Sequence, residues 1–461
     1  MLDRRAFLSS GLAGAAAGAL LSSPTAAAQS TSGASRLNVK SFGARGDGRH
    51  DDTPAFRAAI QAGQNQGLVV FVPQGIYKIR GGGILITDSL LMEGIPGKSV
   101  LKFIDGPGLM TIDGASNVTI SGIDFDGNNR DLNQEGVVYV QNASRIRFID
   151  CGFRRGRDGD GLQVYASQDV DVVRCRVQDI RYYGLFFLNS EGIRVIGCTV
   201  RNCKNNGIAV HRTSRGRARA LIAHNFVARI DSQSGDGQNG NGINAYNADE
   251  VIITANNIRN CRFSAIRCNS CSDPIVTDNQ CLHCDETAIF VEFAHSGSVV
   301  ANNVVDHAVQ GISVTNLDSG GRLSSITGNV VRNVFKLSTS SNPNTGYSSG
   351  ISVEADAIVS GNVVEMGHTP HEPNLGILVG WGPYLRDVAV SGNQVRNADY
   401  GISVSVVDGA GNAKISGNFV TGSRRRGIGG NRWESELGIP LTDNTGGSRF
   451  PHIQLSDNWV R

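Results

Sequence analysis

The chain has 461 residues, with 58 Gly against only 12 Pro, 6% aromatic residues, and a formal charge of +2 whose two signs are mixed along its length. That length is great for one ordinary globular core but natural for an array that grows by stacking repeats. The mixed charge excludes the concentrated basic face of a nucleic-acid binder, and no stretch supplies the ~20 apolar residues of a bilayer-spanning helix.

Residues 1–28 read as a targeting segment. Arg4-Arg5-Ala6-Phe7-Leu8 is a twin-arginine signature, Gly11 to Leu21 is mildly apolar, and Ala26-Ala27-Ala28 offers a small-residue cleavage site. The expected mature chain starts near Gln29, with 29–36 a disordered leader. It is expected to be exported already folded, to the periplasm or beyond the cell, with the Tat translocase as its partner in transit.

Residues 37–80 form a cap region. Val39-Lys40-Ser41-Phe42-Gly43-Ala44-Arg45-Gly46-Asp47-Gly48 leads to Asp51-Asp52-Thr53-Pro54 and an amphipathic helix from Pro54 to about Gln64, with Phe56, Ala59 and Ile60 on one face. Asp52 or Thr53 suits the N-cap and Pro54 the first helical position. Strands at 69–73 and 75–79 follow. The helix is expected to cover the open first coil of a stack, whose bare edges would invite aggregation.

From about residue 146 two phrases alternate to the end of the chain. Asn-x-Val or a relative recurs at Asn225, Asn256, Asn279, Asn302, Asn329, Asn362, Asn393, Asn418 and Asn458, with Cys151, Cys175 and Cys198 in the same slot earlier. Gly-Ile-x-Val or a relative falls between them, from Gly161 to Gly427. Undecorated copies lie 23 residues apart, as Asn256 to Asn279. That period fits one coil of a parallel β-helix, and the strands alternate at period two, not 3.6. The expected fold is an all-β, right-handed parallel β-helix spanning 37–461. It has about eleven coils over 146–461 and a rod of roughly 50 Å. Ile243, Ile266 and Ile289 would stack in one interior column, and Val227, Ile258, Cys281 and Val304 in another. The Asn slot reads as a bend ladder, because Asn tolerates left-handed dihedrals and its amide can bond the next Asn.

Cys268-x-x-Cys271 and Cys281-x-x-Cys284 have zinc-like spacing, but the register disfavours zinc. Eight of the nine Cys residues fall in stacked interior or bend slots, as small buried apolar residues; Cys271 lies in a turn. Adjacent-coil pairs such as Cys261 and Cys284 are within disulfide reach, although folding before export argues against obligatory bridges. At the far end, residues 429–450 either fold over the last coil or leave it to a partner.

The 39–54 segment closely resembles the N-terminal signature of the pectate-lyase-like superfamily, which includes polygalacturonases and phage tailspikes. With the Arg4-Arg5 leader and the coil array, the chain is similar to the twin-arginine-translocated repetitive protein family. The resemblance spans nearly the whole chain and implies the fold more than a reaction. Asp160 sits where polygalacturonases place the first aspartate of an Asp-Gly-Ile phrase. Their Asp-Asp pair and Gly-His-Gly are replaced here by Tyr182-Tyr183 and Asn205-Asn206-Gly207, so the carboxylate pair of an inverting hydrolase is absent.

Residues alternating with the interior columns form an outer wall: Gln163, Tyr165, Asn244, Tyr246, Arg267, Asn269, Phe290, Glu292 and Glu354, with Phe186 and His211 among them. Insertions at 231–241, 335–349 and 366–375 precede this sheet, and those at 211–219, 315–322, 380–386 and 405–412 follow it. They are expected to raise both edges into a groove for a polysaccharide or oligosaccharide. A lyase or epimerase acting on acidic glycans needs a base and a group that stabilises enolate-like charge. His211, Arg212, Tyr183, Asp158 and Asp160 are the catalytic candidates. Asp158 and Asp160 would either bind calcium or shape a turn. A non-catalytic glycan-binding module and a structural, envelope-associated repeat protein are the rival readings.

Overall fold

The structure, a computed structural model, describes residues 36–461 apart from 81, 107, 133–135, 236, 336–345, 369–371 and 446. The twin-arginine segment and almost all of the leader lie outside the described residues. Arg36, expected to close the leader, instead opens a strand, Arg36–Asn38, that pairs with Val69–Phe71.

Among the described residues, period-two strands joined at bends wind into a right-handed parallel β-helix of about 14 turns with one short α-helix. The turns exceed the eleven expected because the coils before residue 146 lack both phrases yet pair in the same register. Ile84, Met110, Val138 and Leu162 continue one column. The interior follows from alternation. Leu185, Ile208, Ile243, Ile266, Ile289, Ile312, Ile351, Ile377 and Ile402 are successive in-register partners, and every one is fully buried. Burying each such side chain is worth ~1.5–3 kcal/mol relative to exposure.

The Asn slot is a continuous buried ladder. The side-chain amide of Asn225 donates to Oδ1 of Asn256 at 2.9 Å. The pattern repeats through Asn279, Asn303, Asn329, Asn362, Asn393 and Asn418 to Asn458 at 2.9–3.0 Å. Two expectations change here. Asn303, not Asn302, is the rung, so Val305 rather than Val304 joins the interior column. The left-handed residue is the one preceding each rung, as at His224, Ala255, Asp278 and Asn302 (φ 58°, 55°, 59° and 57°). Asn302 therefore fills the bend slot that tolerates positive φ, while Asn303 turns inward.

The helix, Thr53–Gln66, buries Phe56, Ala59 and Ile60 against the first coils. Its N-cap is Asp52, but the Asp52 carboxylate accepts the N–H groups of Arg45 (2.6 Å) and Gly46 (3.3 Å) rather than capping the helix. Near the other end, Arg426–Arg432 turns back antiparallel on Glu436–Ile439, and Leu441 and Phe450 pack on the core. The segment 429–450 thus covers interior side chains itself, before Ile453–Ser456 resumes the coil beside Ala413–Ser416. All nine cysteines are free and buried, Cys271 included. Burial pushes the thiols of Cys268 and Cys281 upward.

Candidate functional site

The wall expected from alternation exists as two outward columns. One runs Gln163, Phe186, Ala209, Asn244, Arg267, Phe290, Ser313, Ser352, Leu378. Its neighbour runs Tyr165, Leu188, His211, Tyr246, Asn269, Glu292.

A cleft of about 240 Å³ opens on this wall, lined by Tyr183, His211, Gln238, Asn239, Asn244, Tyr246, Arg267 and Asn269. His211 sits among aromatic rings. Phe186 lies 5.3 Å, Tyr246 5.8 Å and Tyr183 6.0 Å from it, all edge-on, and Tyr183 stacks on Phe186 at 4.5 Å. Desolvation, helped by the Arg267 charge, lowers the imidazole pKa to about 4. His211 is therefore neutral at physiological pH, and its Nε2 is buried without a hydrogen-bond partner. Asn244 Oδ1 is orphaned in the same way, while its amide donates to the Gln238 carbonyl at 3.0 Å. Buried polar atoms without partners are uncommon, and each calls for a reason.

Arg267 and Glu292 form a buried pair beneath the cleft, Nε to Oε1 at 2.5 Å, and the Asn269 amide donates to the same oxygen at 3.1 Å. Arg267 also donates to the Gly237 carbonyl, which ties the 231–241 segment to the wall. That segment supplies Gln238 and Asn239, which the sequence offered only as an insertion. Asn239 Oδ1 accepts the Tyr183 hydroxyl at 3.1 Å.

Other candidates fall elsewhere. Asp160 is buried and accepts the Tyr183 N–H at 3.0 Å, which joins two coils. Asp158 is exposed. Neither lines the cleft, and among the described residues no group of three or more His, Cys, Asp or Glu side chains is placed to hold a metal ion. Arg212 turns from the cleft to donate to the Arg217 carbonyl at 3.0 Å. The 211–219 insertion extends one long strand, Ile208–Ala223, instead of forming a rim loop. Gln163 and Tyr165 lie on earlier coils.

Phe290 and Glu354 line a second cleft of about 220 Å³ further along the wall, with Tyr347 and Trp381. The two aromatic residues went unmarked in the sequence because they stand in insertions, where no repeat register assigns a direction.

Residues 71–227 and 220–382 match a family described as right-handed β-helix region. The mannuronan C5-epimerase AlgE3 of Azotobacter vinelandii is 30% identical over 164 residues, covering 32% of this chain and 8% of that protein. The preneck appendage protein of Bacillus phage PZA is 27% identical over 221 residues, 39% of this chain and 25% of that protein. The chain thus aligns with a quarter or less of these relatives' length. Among solved structures, the N-terminal fragment of bacteriophage phi29 gene product 12 superposes with a TM-score of 0.54 at 16% identity, covering 88% of this chain and 74% of that one. That likeness is one of fold.

Proposed function

The chain belongs to the right-handed β-helix family, and from that premise we propose that it binds an acidic polysaccharide along the wall and processes it as a uronate lyase or epimerase. The observation that carries this reading is His211: a neutral imidazole with an orphaned, buried Nε2 in a ring-walled cleft. Abstracting the proton α to a uronate carboxylate needs a base that is uncharged at working pH and positioned beforehand. His211 takes that proton. The Arg267 guanidinium and the Asn269 amide face the carboxylate on which negative charge develops. The Tyr183 hydroxyl, held by Asn239, returns a proton, to the leaving oxygen in elimination or to the ring carbon in epimerisation. A relative that is a mannuronan C5-epimerase supports the glycan class.

The test is to incubate the protein with uronate-containing glycans and follow the ultraviolet absorption of the 4,5-unsaturated uronate product and C5 inversion by NMR. His211→Ala is expected to lower the rate by about 10²–10⁴-fold, and the wild-type rate should fall as pH drops through about 4. Tight binding with neither product nor inversion sinks the catalytic reading. It would favour a non-catalytic glycan-binding module, for which one observation speaks: the Arg267 charge is already matched by Glu292.

The proposal extends to export by the twin-arginine route, and to membership of the twin-arginine-translocated repetitive proteins within the pectate-lyase-like superfamily. The motif at Arg4-Arg5 and the 39–54 segment support it. Fusing residues 1–28 to a reporter that folds in the cytoplasm should export it, and Arg4→Lys with Arg5→Lys should abolish that export.

A further inference from the structure

The second cleft differs from the first in charge. Glu286, from the entry to the Thr287–Glu292 strand, and Glu354 both line it. Among its described lining residues there is no Lys, Arg or His. Glu354 is only 8% exposed. One of its oxygens accepts the Leu317 N–H at 2.7 Å, and among the described residues no cation pairs with it. Burial raises its pKa to about 7. The Leu317 and Asn316 N–H groups pull the other way, and Asp318 adds to the rise. A buried carboxylate is costly unless it finds a partner.

Beside it the Tyr347 and Trp381 rings lie 5.0 Å apart at 30°, and Trp433 meets Trp381 edge-on at 5.7 Å. Both Glu354 and Glu434 act electrostatically on the Tyr347 phenol, which burial and these charges push upward. Tyr347 and Trp381 also pack on Leu375, Leu378 and Tyr400. That small apolar cluster fixes the rings in place. Fixed aromatic faces beside an unmatched carboxylate are the environment that attracts an alkylammonium group.

We propose that this cleft is a subsite for an unacetylated amino sugar, its ammonium seated between the Glu354 carboxylate and the Tyr347–Trp381 rings. The inference rests on the glycan reading above only for the claim that the sugar belongs to a longer chain. Five coil steps separate the Ile208 and Ile351 strands, ~24 Å along the axis at the usual interstrand spacing. The groove then selects a heteropolymer: a uronate at His211 and a hexosamine several sugars away.

The experiment follows tryptophan fluorescence of the full chain while titrating glucosamine oligomers, their N-acetylated counterparts and choline. The deacetylated oligomers should bind at least tenfold more tightly than the acetylated ones and than choline. Glu354→Gln should remove at least tenfold of that affinity, and Trp381→Phe should weaken it less. Retained binding of deacetylated oligomers by His211→Ala would separate this subsite from the cleft at His211. Equal affinity for acetylated oligomers, equal affinity for choline, or unchanged affinity in a folded Glu354→Gln protein each overturns the proposal. If amino-sugar binding is found but no uronate is processed, the catalytic reading fails alone.

Discussion

At the scale of single residues, the wall combines groups whose burial would be costly in isolation. Glu354 shows the sign of that cost. Its folded pKa of about 7 lies above the ordinary 4.5, so its contribution to stability is fully present below pH 4.5 and is lost as pH rises through 7. The loss is on the order of 3 kcal/mol. Glu354→Gln keeps an acceptor for the Leu317 N–H and carries no charge. Its thermal midpoint should therefore exceed that of the wild type at pH 8 and match it at pH 4.5, as read by calorimetry. Arg267 and Glu292 behave differently, because each neutralises the other. Glu292→Ala should cost ~3–5 kcal/mol by leaving Arg267 buried and unmatched, while Arg267→Met with Glu292→Leu should recover most of it. Equal destabilisation by the single and double changes would contradict that account. His211, Tyr246, Arg267 and Asn269 were legible in the sequence because each alternates with an interior residue in a strand whose register repeats. Asp158, Asp160 and Arg212 lie off the cleft: Asp158 stands in a bend, Asp160 opens the strand Asp160–Tyr165, and Arg212 follows His211 into a stretch of Ile208–Ala223 where the register shifts and alternation stops giving a direction.

At the scale of the element, the Asn ladder locks one coil to the next. Asn329 accepts from the backbone and side chain of Asn303 at 2.9 and 3.0 Å. It donates to the Val300 carbonyl at 3.0 Å and to Asn362 at 2.9 Å. Asn329→Ala strands several buried groups at ~1–3 kcal/mol each, so its thermal midpoint should fall well below that of Asn458→Ala at the half-buried last rung. In the opposite direction, Cys198 already donates its N–H to Asn225 Oδ1 at 2.8 Å. Cys198→Asn would lengthen the ladder by one rung and should raise the midpoint. The misplaced rung at Asn302 has a plain cause. Two adjacent asparagines satisfy two different demands, one for positive φ and one for an inward amide, and the phrase alone does not separate them. The uncounted early coils have a similar one: they keep the pairing register with other residues in the recurrent slots.

For the whole molecule, each coil touches chiefly its neighbours, so stability is close to a sum of coil and interface contributions. Removing residues 394–418 takes out one complete coil and joins Asn393 to Phe419-Val420, which restores the Asn-x-Val phrase. That protein should remain soluble and β-rich by circular dichroism and size-exclusion chromatography. Removing 394–419 shifts the junction by a single residue, and such a slip turns alternate side chains to the opposite face. That variant should aggregate. Similar behaviour of the two deletions would refute the stacking account.

The described residues of the 231–241 segment leave and rejoin the coil within the one corner between Phe226–Ile230 and Ile243–Thr254, and the interior pairs Cys203–Ile230 and Ile208–Ile243 keep their register on either side. Residues at the rim can accordingly be exchanged, lengthened or lost while the column beneath keeps its phase. The winding therefore asks little of the side chains outside it, in keeping with a fold shared at only 16% identity.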